Sequence, residues 1–405
     1  MNIRSSFALR RWVGVALLLC VALVASACTS TPIDPTWAGI SLVGDGQNIL
    51  IAFENQMTLI NPTTGRPVEL RDAEGQVRVD DQGNARVWNI PSPDGGTKFY
   101  TSPLPLDEGS MLALAYTKKL YRVDLASGVL YNATTGVDLP GQVIAAPTIN
   151  GDLMYVGFSE RNLIAYDISD VQNNSITEVW RLETDHGIWA SPLLVEGVLY
   201  VPCMNHTLYA LNAETGELLW SADLQGAITS TPVFQNGRLY VGTLARKVFE
   251  ISASDGQILS ESATQDWVWG TPALVENTLY VADMAGYVYA FGIGDGGLTQ
   301  QWSQQVATKG IRATPVVVGD ALIVASRDTY VYWLNPADGS PLLDTEGSPI
   351  KRQVNGEVLA DMLVINPSEG LDIPEPLLIV STMNRAELLV AFALDTGQRQ
   401  WVYGR

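Results

Sequence analysis

A proline returns through the chain at Pro103, Pro147, Pro192, Pro232, Pro272 and Pro315, with gaps of 44, 45, 40, 40 and 43 residues. A fixed period of this length means one supersecondary unit written repeatedly, and nothing else in the sequence limits the fold so tightly. Each proline opens similar text. The clearest copies are ASPLLVEGVLYVPCMNHTLYALNAETGELLW (190–220), STPVFQNGRLYVGTLARKVFEISASDGQIL (230–259) and GTPALVENTLYVADMAGYVYAFGIGDGGL (270–298). Weaker copies start near Ala38 and Leu359 and bring the expected number of units to eight.

Within a unit, β-branched and aromatic residues fall in short runs, such as Val198-Leu199-Tyr200-Val201 and Leu208-Tyr209-Ala210-Leu211. Glu-Gly, Asn-Gly, Thr-Gly and Asp-Gly pairs break these runs and read as turns. Four short strands fit each unit, and no later stretch keeps a helical period. The expected fold is all-β: an eight-bladed β-propeller of four-stranded antiparallel blades over residues 37–405. Residues 71–100 and 366–376 lengthen two units and read as insertions, too short to be blades.

The 405 residues are 47% hydrophobic and 17% charged, enough to fill a large core and unlike a disordered chain. The 24 Lys and Arg against 43 Asp and Glu give a net charge of −19, which disfavours nucleic-acid partners because these bind through phosphate neutralisation. Two His and three Cys leave little material for common zinc sites.

The first 27 residues read as an export signal. Arg4, Arg10 and Arg11 precede an uncharged apolar run, Trp12 to Ala27, shorter than a membrane-spanning helix. Ala25-Ser26-Ala27-Cys28 resembles a bacterial lipobox, which makes Cys28 the expected lipidation site and 28–36 a short linker. Two acyl chains make such an anchor stable. Cleavage removes three Arg and no acid, so the mature chain carries −22. Cys203 is then left without a disulfide partner in its own chain. The chain is expected at the cell envelope, and Thr29 after Cys28 favours the outer membrane where there is one.

The run Ala210-x-Asn212-x-x-Thr215-Gly216-x-x-x-Trp220 resembles the repeat of PQQ-like propellers, in which a Trp ending one blade docks on the next. Ala391, Gly397 and Trp401 repeat that spacing; Ala290, Gly296 and Trp302 keep the order, and Trp180 ends a longer version. Ser260 and Leu343 stand where other units have Trp. The resemblance implies blade docking for Trp180, Trp220, Trp302 and Trp401, with Gly216 and Gly397 in tight turns under an indole.

That family holds both cofactor enzymes and scaffolds. The enzymes with PQQ and calcium carry an adjacent Cys pair and calcium ligands. Here Cys203 stands alone in Val201-Pro202-Cys203-Met204, and no calcium-loop pattern is present. In length and layout the chain is more similar to BamB-type lipoproteins of outer-membrane β-barrel assembly. The resemblance implies a monomeric scaffold, anchored to the membrane by lipid, that binds a protein partner and uses no cofactor. A PQQ-dependent dehydrogenase with Asp185, His186 or Asp266 as base, or a small-ligand or glycan sensor, are the alternatives.

With the strands of a blade lettered A to D from the axis outward, B–C tips and D–A connections share one face. Lys118, Lys119, Arg161, His206, Arg246, Lys247, Arg327 and Arg385 lie at B–C tips, and Lys309 and Arg312 on a D–A connection. The other turns gather acids such as Glu196, Glu214, Asp255 and Asp338. Acids and glycine also make good turns in their own right. Trp189, Trp267 and Trp269 stand on D–A connections beside the basic residues, an arrangement typical of interface anchors. The expected partner face therefore comprises Trp189, Trp267, Trp269, Arg246, Lys247, Lys309, Arg312 and Arg327, with one of Trp267 and Trp269 facing inward by strand alternation.

Overall fold

Each repeat folds into one antiparallel sheet whose strands follow chain order outward from A to D. Blade 4 shows why. Leu193–Val195, Val198–Pro202, Thr207–Asn212 and Leu218–Asp223 are its strands, and Glu196-Gly197 closes the A–B hairpin with φ of 49° and 80°. Positive φ at both central residues is the hairpin geometry that matches strand twist. Strand B is buried along both faces because a neighbouring blade covers each side, whereas strand D alternates towards solvent.

The computed structural model describes residues 39–404 except 45–46, 94, 100, 102, 132–135 and 369–370. The expected leader 1–27, Cys28 and the linker 28–36 lie outside the described residues. The described residues all belong to one compact unit, Trp37–Arg405.

Eight such sheets form a propeller ring. Their inner strands approach one another, as Ala273–Val275 does Val316–Val318. The core is divided among blade interfaces: Tyr200, Leu208 and Ala210 of blade 4 pack on Leu239, Val241, Phe249 and Ile251 of blade 5. The ring closes the same way, through Ile49, Ile51 and Ile60 of blade 1 against Ile365, Ile379 and Leu389 of blade 8. No strand is exchanged at closure among the described residues; each blade is built from its own stretch of chain. Two short 3-10 turns, Val171–Asn173 and Arg385–Glu387, are the described helical elements.

Strand D carries the device that joins blades. In blades 3, 4, 5, 6 and 8 it holds one extra residue, a β-bulge at Val179, Leu219, Leu259, Gln301 and Gln400. A bulge bends the strand and re-aims the next side chain. In four of these blades that side chain is an indole donating to a carbonyl of the next blade. Trp180 reaches Ala213 O (3.0 Å), Trp220 reaches Ala253 O (3.0 Å), Trp302 reaches Pro336 O (3.0 Å) and Trp401 reaches Pro62 O (2.7 Å). Under each ring lies a glycine of the neighbour's C–D turn. Gly216 lies beneath Trp180 and Gly256 beneath Trp220, with φ of 73° and 75°, and a Cβ on Gly256 would stand 2.5 Å from the ring.

Blades 1, 2 and 7 depart from this plan. In blade 1 the outer position is shared by Arg66–Pro67 and Asn89–Pro91, both paired with Gln56–Asn61. Between them run two tight hairpins, bridged at Arg71–Val77 and Val79–Ala85, so the stretch read as an insertion at 71–100 includes the outer edge of a blade. Blade 2 splits its edge between Val129–Leu130 and Val137–Asp138. Blade 7 places a hairpin, bridged at Leu343–Pro349, before Lys351–Gln353. Trp88 and Trp333 serve these irregular blades, donating to Leu125 O and Leu394 O at 2.7 Å. Leu343 therefore does not occupy the Trp place of blade 7. It is 59% exposed, and Trp333 fills the junction from strand C. A Cβ on Gly397 would stand 3.3 Å from that Trp333 ring and 3.1 Å from Ile350, so Gly397 lies against Trp333, while the glycine against Trp401 is Gly65.

Ser260 marks the exception among the bulged blades. Its hydroxyl donates to Glu250 (2.7 Å) and accepts from Leu298 N of blade 6 (2.9 Å), while Arg238 pairs with the same fully buried carboxylate. Glu250 in turn holds the Arg238 guanidinium above its ordinary pKa. A satisfied polar cluster thus stands where other junctions have an indole.

Candidate partner-binding face

The D–A connections share one pattern. The residue four before the proline, or before Met362 in blade 8, is a fully buried core side chain: Phe99, Val143, Ile188, Ile228, Val268, Ile311 and Val358. Extended backbone turns the next residue the other way. That next position reads Ile144, Trp189, Thr229, Trp269, Arg312 and Leu359 in successive blades; Thr229 is buried, its hydroxyl donating to Trp269 O (3.2 Å), and the others are exposed or half-buried. The connections thus use one position for the core and leave the next to vary on the D–A/B–C face.

Two indoles of this face are in solvent. Trp189 is 39% exposed, with its Nε1 donating to Ser159 O (3.1 Å) on the tip of blade 3. Trp267 is 45% exposed. Trp269, two residues on, is half-buried, and the Arg312 guanidinium lies 4.5 Å from the centre of its ring, a cation–π contact. Burial, with the nearby charge of Arg327, lowers the pKa of Arg312 to about 10, so it remains a cation at neutral pH. A cation held at such a cost is a frequent mark of a functional site.

The other basic residues are arranged differently from a bare positive field. Arg246 lies 3.5 Å from Asp266, Lys247 2.6 Å from Glu261, and Lys309 and Arg327 share Glu357 at 3.3 and 3.0 Å. Lys118 meets Glu160 at 3.7 Å, Lys119 meets Asp138 at 2.6 Å and Arg385 meets Glu54 at 2.6 Å. Several of these pairs join neighbouring blades. The cations cluster on this face, but acids interleave with them, so its net field is weaker than the basic residues alone suggest. Turn signals in the sequence located the cations; the pairing acids sit up to 331 positions away in the chain.

Asp266 is thus engaged with Arg246, while Asp185 and His186 are exposed on the connection into blade 4. Cys203 is buried beneath that connection and donates to His186 O and Gly187 O at 3.5 and 3.6 Å; burial pushes its thiol pKa up. Among the described residues no three His, Cys, Asp or Glu side chains group as a metal site. Trp88 and Trp333, absent from the sequence-based docking set, belong to the blade junctions; the spacing rule passes over them because split edges move the indole along the chain.

A family model described as outer membrane protein assembly factor BamB matches residues 167–259 and 205–404. No curated protein matches the sequence. Among solved structures, the chain is similar to BamB from Moraxella catarrhalis at 16% identity and TM-score 0.59, covering 85% of this chain and 92% of that one. It is similar to the computationally designed Ika8 protein at 14% identity and TM-score 0.60, covering 91% and 96%. Sqt1 of Saccharomyces cerevisiae matches at 12% identity and TM-score 0.63, covering 85% and 92%. At these identities the structural likenesses speak for the fold.

Proposed function

The chain belongs to the repeat-propeller family described as outer membrane protein assembly factor BamB, and on that premise we propose that it is a non-enzymatic scaffold that captures a protein partner on its D–A/B–C face. The observation that carries this reading is the exposure of Trp189 and Trp267 there, beside the Arg312–Trp269 stack. Large, stiff aromatics next to Arg are the usual anchors of protein interfaces. Lys309, Arg327, Arg246 and Lys247, with their acids, form a charged surround that orients the partner. A lipid on Cys28 holds the scaffold at the envelope, and in an organism with an outer membrane its partner is a component of β-barrel assembly.

Crosslinking in native membranes, followed by identification of the co-purified protein, tests the reading. The double variant Trp189→Ala/Trp267→Ala is expected to lose at least tenfold in recovered partner while melting like the parent. Undiminished recovery overturns the choice of face. Dye reduction by purified protein with PQQ, calcium and an alcohol or sugar would overturn the scaffold reading in favour of a dehydrogenase.

A further inference from the structure

The bulge before each junction residue provides an internal control for the outer rim. In blades 6 and 8 the two residues leading into the docking Trp are Gln300-Gln301 and Arg399-Gln400, and in blade 3 they are Glu178-Val179. Blades 4 and 5 place Leu218-Leu219 and Ile258-Leu259 on the same bulge. These four side chains are 50%, 50%, 36% and 43% exposed. The backbone is the same with Gln, Arg or Glu, so the fold does not require apolar side chains at these places. A single exposed Leu carries no message, but apolar pairs on adjoining blades form a patch.

The two pairs are continuous. Trp220 follows Leu219 directly, and its ring covers Gly256, which lies two residues before Ile258. An apolar strip therefore runs from Leu218 across one junction to Leu259. The segments that carry it, 213–220 and 253–260, also hold exposed Glu214, Glu217 and Asp255 and contain no Lys or Arg. The strip follows the C–D turns, so it lies towards the opposite side of the propeller from Trp189 and Trp267.

We propose that this strip is a second docking surface, independent of the D–A/B–C face, for a cationic amphipathic segment of a partner protein. Apolar side chains on segments whose charges are all acidic complement Leu or Phe flanked by Lys or Arg. A second copy of this chain fits poorly: it would bring like charges together, and an exposed patch on the order of a few hundred Å² falls short of the roughly 800 Å² per partner of a stable interface.

The test uses the full chain and two synthetic 18-residue amphipathic peptides, one of Lys and Leu and one of Glu and Leu in the same pattern. The parent is expected to bind the Lys/Leu peptide saturably and the Glu/Leu peptide at least tenfold more weakly. L218Q/L219Q/I258Q/L259Q gives blades 4 and 5 the residues blade 6 already has. It should melt like the parent and bind the Lys/Leu peptide at least tenfold more weakly. Glu214→Lys/Glu217→Lys, confined to an exposed turn and its flank, should weaken that peptide and strengthen the Glu/Leu one. Equal binding of both peptides by the parent, or undiminished Lys/Leu binding by both variants, overturns the proposal. A parent dimer in sedimentation that the Gln variant abolishes would assign the strip to self-association instead.

Discussion

Two sets of equivalent positions run round the propeller, one at the blade junctions and one on the D–A connections, and they behave in opposite ways. At the junctions an indole appears six times, as Trp88, Trp180, Trp220, Trp302, Trp333 and Trp401, each donating to a carbonyl of the neighbouring blade. On the connections the position three before the proline varies through Ile144, Trp189, Thr229, Trp269 and Arg312. A site that only joins blades has much the same task from blade to blade, and at six junctions it receives the same side chain. A surface that meets an asymmetric partner has a different task at each blade, and its residues differ accordingly.

That contrast can be broken most forcefully at the junctions. Trp220→Ala removes a ring packed over Gly256 and an indole hydrogen bond, and should cost about 4 kcal/mol in denaturant unfolding. A loss below about 1 kcal/mol would mean that the indoles do not join the blades. The polar junction should be nearly as sensitive, for a different reason. Arg238→Met leaves the fully buried Glu250 without its charge partner and should cost about 3 kcal/mol, whereas Arg238→Met/Glu250→Leu should recover most of the loss. Gly256→Ala, with φ at 75° and the Trp220 ring 2.5 Å from the new Cβ, should cost about 2 kcal/mol. Gly397→Ala, where the nearest atom is 3.1 Å away, should cost about 1 kcal/mol.

The face positions should respond least in stability. Trp189→Ala should change unfolding by less than about 0.5 kcal/mol, the range of ordinary surface substitutions. Arg312 is a more pointed case. Burial lowers its pKa to about 10, below that of an arginine in the unfolded chain, so above about pH 10 the unfolded chain holds more protons and the stability it contributes rises with pH. Arg312→Gln should remove that rise and leave stability near neutral pH unchanged or slightly higher, as expected where a charge is retained for binding. A clear loss of stability at pH 7 would instead make Arg312 a structural residue.

Much of the fold was legible because the repeat writes it eight times. Turn pairs such as Glu196-Gly197 and strands such as Val198–Pro202 follow from local propensity and alternation. The split edges of blades 1, 2 and 7 were less legible: each trades one strand for two short segments whose pairing with strand C depends on contacts distant in sequence. Trp333 escaped the spacing rule for that reason. On the candidate face one of Trp267 and Trp269 was expected to face inward, but Val268 enters the core, and extended backbone then puts both indoles on the outer side. Trp267 is exposed and Trp269 only half-buried because Arg312 covers its ring, a contact from the next connection.

The sequence by itself determined the eight units and, in the regular blades, the strand order and the hairpins, since these rest on φ preferences and on periods of two residues read within one unit. Only the tertiary structure decided which side chains meet across blades. Trp401 on Pro62 and Arg385 on Glu54 join segments with no local relation. Ring closure brings them together, and with them it fixes how much of the face's charge is already neutralised within the chain.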